Sequence, residues 1–193
     1  MIRRCLQRHF RRSLILVALF IFSMTVPPVV AQVGMPTTLV QNQRQDAFPL
    51  VSQGDQLYNS GQFQEAAQAW QQAAVAFAAQ GDHLNQAMAL SNLSLTDQQL
   101  SDWEKAKEGI AKSLNILSTL EKNQEQQRIL AQTLNIQGQL QHRVGQSQAA
   151  LETWQRAAEI YGNVGDQNGK AQTQINQAQA MQDLGLYPRA CQT

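Results

Sequence analysis

Residues 61–74 read GQFQEAAQAWQQAA, and residues 145–158 read GQSQAALETWQRAA. Eight of the fourteen positions are identical at an offset of 84. Self-similarity at a fixed offset marks a repeat architecture. In the first copy Phe63, Ala66, Trp70, Ala73 and Phe77 step by three or four residues, which places them on one helical face. In the second, Ala150, Trp154, Ala157 and Tyr161 do the same. Alanine lets a partner backbone approach, and tryptophan fills the space beside it. Neither stripe can be hidden by its own helix, so a neighbouring helix must cover each one.

The pattern extends over most of the 193 residues. Between Pro49 and Pro188 there is no proline, and Ala, Gln, Leu and Glu dominate. All four are good helix formers. No alternating Val, Ile and Thr run indicates a strand. Glycines punctuate the helices at Gly61, Gly81, Gly145, Gly165 and Gly185, and Ser101-Asp102 takes that place once. Asp82 and Asp166 are suited to cap the helices that follow them. The expected helices are 47–59, 63–79, 84–100, 103–121, 125–144, 147–162, 168–184 and 187 onward. They pair as four helical hairpins, the last cut short. The fold class is all-α.

The N-terminus has a different character. Five arginines, Arg3, Arg4, Arg8, Arg11 and Arg12, precede the apolar run 14–24, LILVALFIFSM. Pro27 and Pro28 interrupt it, and Val29-Val30-Ala31 offers small residues for cleavage before Gln32. Residues 1–31 read as a secretory signal peptide. An uncleaved membrane anchor is the rival reading, but eleven apolar residues fall short of the roughly 20 that span a bilayer. Arg11-Arg12 also permits a twin-arginine reading, which no large cofactor supports. The mature chain is therefore expected in the periplasm or outside the cell, with no membrane contact after cleavage. Residues 32–46, without periodicity, form a linker.

Charge and composition exclude several functions. The formal charge of +1 hides the signal: beyond residue 31 there are 15 − 5 = 10 basic and 14 acidic residues, a net of −4. A mildly acidic body gives no electrostatic case for nucleic acid. Cys5 precedes the apolar run, which leaves Cys191 alone in the mature chain and forbids an internal disulfide. No carboxylate pair, HExxH, GxSxG, P-loop or CxxC motif occurs. No cofactor or metal site is expected, since His, Cys and acidic residues do not cluster. A Cys191–His142 dyad can be written down, but the two lie in different repeats with nothing to align them. Asn92-Leu93-Ser94 matches a glycosylation sequon, yet it falls inside an expected helix.

The order of these residues resembles the tetratricopeptide repeat, which runs apolar–small–x6–Gly–x–aromatic–x2–Ala–x3–aromatic–x2–Ala. Repeats start near 47, 87, 131 and 171, the last incomplete. The first carries Gly54, Gly61, Phe63, Ala66, Trp70 and Ala73 at the signature places. The second carries Leu93, Ser94, Trp103, Ala106 and Ile110. The third carries Leu134, Gly138, Gly145, Ala150, Trp154 and Ala157, and the fourth Ala178, Gly185, Tyr187 and Ala190. Three places depart from the motif: Asp97 where a Tyr is favoured, Ser101 for the turn glycine, and Ser147 for an aromatic. The resemblance implies that 47–193 is a right-handed solenoid of helical hairpins.

A signal peptide followed by long repeats containing NQA, LSNLS, LAQTLN and LGLYPRACQT is further similar to the N-terminal part of secreted cyanobacterial proteins that end in a caspase-like CHAT domain. That resemblance implies a fragment or truncated reading frame, because the fourth repeat stops at Thr193 inside a helix.

In such repeats the first helix of each hairpin lines the concave side. That side then receives Phe48, Val51, Asp55 and Tyr58, followed by Met88, Ser91, Asn92, Leu95 and Gln99. It continues with Gln132, Asn135, Gln139, His142 and Arg143, and ends with Gln172, Ile175, Asn176, Gln179 and Asp183. The expected groove for a peptide or partner domain consists of Asn92, Gln99, Asn135, Gln139, His142, Arg143, Asn176 and Gln179. Amides both donate and accept, so they can bond an extended backbone without selecting its charge. Against this, Gln makes up 32 of the 162 residues beyond the signal, so amides fall on every face. Two functions follow. One is a non-catalytic secreted scaffold for protein–protein interaction. The other is the regulatory arm of a larger CHAT-domain peptidase, whose groove holds that domain or its activator.

Overall fold

A computed structural model describes residues 47–186. Seven helices fill it: α1 (Ala47–Asn59), α2 (Phe63–Gln80), α3 (His83–Gln99), α4 (Trp103–Thr119), α5 (Gln124–Arg143), α6 (Ser147–Asn163) and α7 (Gln167–Asp183). No strand occurs among the described residues. Every expected helix end in this span lies within two residues of the observed one. The signal peptide, the linker, the helix from 187 onward and Cys191 lie outside the described residues.

Local chemistry explains the boundaries. Pro49 sits in the first turn of α1, where its missing N–H costs nothing. At the end of α2, Gly81 adopts φ 73°, and its N–H and that of Asp82 bond back to Ala78 and Phe77. The α3–α4 turn repeats this geometry without glycine. Ser101 holds φ 59°, and Asp102 N–H bonds the Asp97 carbonyl at 2.9 Å. A serine there carries left-handed strain of about 1–2 kcal/mol. Asp82, Asp102 and Asp166 each cap the following helix, through Asn85, Lys105 and Gly169. Asn123 caps α5 through Gln126.

Each helix packs on the next, and α3 also packs on α5 and α5 on α7. The odd helices thus form one layer, and the even helices flank it. This is the packing order of a helical repeat. Its core units are two glycine–tryptophan pairs at the offset of 84. Trp70 and Trp154 are both about 2% exposed. A Cβ at Gly54 would lie 2.7 Å from the Trp70 ring, and one at Gly138 would collide with the Trp154 indole nitrogen. In each hairpin the first helix offers a bare backbone and the second lays an indole across it.

The middle of the molecule is joined differently. Ser91, Ser113 and Thr133, from α3, α4 and α5, are each 0–1% exposed. Their hydroxyls meet at 2.8 Å (Ser91–Ser113 and Ser91–Thr133) and 3.3 Å (Ser113–Thr133). Backbone carbonyls of Ala87 and Ile129 complete the network, so no hydroxyl is left unsatisfied. The helical period places Ser91 on the expected concave side. It belongs to this buried junction instead, because a hydroxyl can spend its bonds inside where three helices converge.

Candidate functional site

The odd-helix layer gathers the expected groove residues onto one face. Asn176 on α7 donates to Asn135 on α5 at 3.0 Å. Gln132 on α5 donates to Asn92 on α3 at 3.4 Å. Gln99 on α3 donates to the Tyr58 hydroxyl on α1 at 3.1 Å. A rung of side chains therefore links each odd helix to the next. The rungs are pairwise, so Asn92 and Asn135 do not bond each other directly. Asn92, Asn135, Gln139 and Asn176 are half-buried, and Gln179 is exposed.

Helix α5 places its last turn against both neighbours. His142 Nε2 lies 2.5 Å from Asp183 Oδ2 on α7, and its ring sits 5.7 Å from that of Trp154. Arg143 donates to the Gln98 carbonyl at 3.1 Å and to Gln99 Oε1 at 3.4 Å. A guanidinium at the last turn of α3 meets the negative end of that helix dipole. Arg143 belongs to the expected groove. It remains exposed, but its guanidinium is committed to α3.

Several candidate residues fall outside this face. His83 begins α3, is exposed and contacts Gln86. Ser94, the third residue of the sequon, is fully buried and donates to the Ala106 carbonyl at 2.7 Å, so the folded sequon is closed to modification. Three buried glutamines have a structural use that composition did not reveal. Gln98, Gln126 and Gln177 donate to the backbone carbonyls of Ile136, Leu117 and Trp154. The richness in glutamine is thus partly a means of tying one helix to another.

The even side carries a separate concavity. A cleft of about 570 Å³ opens between α2 and α4 with α3 as its floor. It continues into a second hollow of about 390 Å³ that shares Gln71, Leu90 and Lys112 with it. Asp97 lies in the floor, only 4% exposed. Burial, and then the charge of Asp102, push its carboxyl up to about 6, while Lys105 pulls the other way. In the sequence Asp97 stands out only as an acid where the repeat motif favours a Tyr.

No described helix is long and apolar enough to cross a membrane. No protein-family model matches the chain, and no curated protein is significantly similar to it.

Proposed function

We propose that the chain is a non-catalytic interaction module, a right-handed solenoid of tetratricopeptide-type hairpins that works outside the cytoplasm once residues 1–31 are removed. Its odd-helix face receives an extended segment of a partner protein. One observation carries this reading: half-buried amides are linked from helix to helix across that face. Each amide has two N–H donors and two acceptor lone pairs. The rung from Asn176 to Asn135 uses one donor and one acceptor, so both side chains keep bonding capacity for a peptide backbone. The rungs also fix the rotamers in advance, which lowers the entropic cost of binding. Arg143 is committed to α3 and Asp183 to His142, while Asp55 of α1 stands exposed, so the preferred segment is extended and polar rather than strongly acidic.

The Asn135→Ala/Asn176→Ala variant tests this. Two neutral hydrogen bonds at about 0.5–1.5 kcal/mol each give a loss of roughly 5- to 150-fold in partner affinity. Helicity by circular dichroism is expected to stay unchanged, since neither side chain lies in the core. A variant that stays helical and binds the same partners with wild-type affinity removes this face as the binding site.

A further inference from the structure

The cleft between α2 and α4 has an ionic imbalance. Its lining includes three acids, Asp97, Asp102 and Glu108, and two lysines, Lys105 and Lys112. Both lysines already have partners: Lys105 lies 2.5 Å from Asp102, and Lys112 lies 2.6 Å from Glu108. Asp97 is left over. Among the described residues no hydrogen bond reaches its carboxylate, whose oxygens open to the cleft although the residue is only 4% exposed. Its charge interacts with Lys105 only at a distance. A largely buried carboxylate with no bonded donor is poorly compensated, and its open side in the cleft leaves a place for a cation.

The surroundings narrow the choice. Asp97 shares the cleft lining with Leu93 of α3, with Leu100 at the end of that helix, and with Gln64 and Gln68 of α2. Leu100 is 37% exposed at the rim. An aliphatic stem would lie against the leucines. A planar head with several N–H groups could donate to the carboxylate and to the glutamine amide oxygens together. Guanidinium meets these demands better than ammonium, because it is planar, bidentate and more weakly hydrated.

We infer that the α2–α4 cleft is a second docking site, which takes an arginine set between aliphatic residues on a partner polypeptide, with the guanidinium on Asp97. The site lies on the even-helix side and is independent of the odd-helix face. Occupation pairs the one cleft carboxylate that the fold leaves without a bonded donor, and it covers Leu93 and Leu100.

The test is a nuclear magnetic resonance titration of the full chain with two blocked peptides. One carries an arginine between two leucines, and the other has citrulline in its place. The arginine peptide is expected to give saturable shifts at the amides of Leu90, Leu93 and Asp97. It should bind roughly 10-fold or more tightly than the citrulline peptide. Asp97→Asn, which keeps the shape and removes the charge, should abolish that preference while circular dichroism stays unchanged. Lys107→Ala, on the exposed surface of α4, should leave it intact. Four results overturn the inference: equal binding of the two peptides, an arginine preference that survives in Asp97→Asn, no saturable shift in the cleft, or shifts confined to the odd-helix face. The last would leave the proposed function standing and remove only the second site.

Discussion

Trp154→Ala is expected to lower the stability of this protein by about 3–5 kcal/mol. The indole is about 2% exposed and fills the space over Gly138, so truncation leaves a cavity that two rigid helices cannot close. Its Nε1 also donates to the Asn135 carbonyl at 3.1 Å, a bond that disappears with it. Trp70→Ala should behave alike at the equivalent place in the first hairpin. For a chain of this size the loss appears as a fall in Tm of roughly 6–20 °C. The pairing itself is open to a double-mutant cycle. Gly138→Ala alone should destabilise by about 1–3 kcal/mol through overpacking. In Trp154→Ala the same substitution should cost less than half as much, because the ring it would strike is gone. Equal cost in both backgrounds would show that Gly138 and Trp154 do not act as a unit.

Asp97→Asn is expected to stabilise the protein at neutral pH by up to about 3 kcal/mol. The carboxyl is raised from an ordinary value of 3.8 to about 6, which corresponds to about 3 kcal/mol at most, and solvent in the open cleft screens part of it. The sign follows from linkage. Below pH 3.8 the folded and unfolded chains both hold the proton, and Asp97 costs no ionisation energy. Between 3.8 and about 6 the unfolded chain releases it while the folded chain keeps it, so stability falls as pH rises. Above about 6 both are ionised and the full penalty stands. Asp102 and Lys105 face the group from the α3–α4 turn and α4, while α2 presents only glutamine and alanine to the cleft. Urea denaturation from pH 3.5 to 7.5 reads the effect directly. Wild type should lose stability across that window relative to Asp97→Asn. Parallel curves would mean that Asp97 titrates normally and that its burial carries no penalty.

Much of this architecture could be read from the chain because its signals are periodic. The stripes through Trp70 and Trp154 follow the helical repeat, and Gly61, Gly81, Gly145 and Gly165 stand where the backbone turns left-handed. Even the turn without glycine was placed, since Ser101-Asp102 combines a small residue with a cap. The face of odd helices followed from the same period, and Asn92, Asn135 and Asn176 share it. The junction of Ser91, Ser113 and Thr133 could not be read. Small hydroxyls have no fixed preference for inside or outside, and their partners lie 20–42 residues away in sequence. The buried glutamines were hidden for the same reason, since an amide type found on every face signals none. In sequence Arg143 is only one residue of the expected groove, and the approach of α3 to α5 is what gives it a partner. The Asp97 cleft depends on the distance between α2 and α4, which no local pattern encodes.

The most direct measurement of the central claim, that the odd-helix face holds the partner, is site-specific photocrosslinking in the cell of origin. A photoreactive residue is placed at Gln179, exposed on α7, or at Gln139, half-buried on α5. A control is placed at Gln155, exposed on α6 of the even side. The account predicts one discrete crosslinked protein from positions 179 and 139, absent from position 155 and lost in the Asn135→Ala/Asn176→Ala background. A crosslink from position 155 with none from 179 or 139 would contradict it.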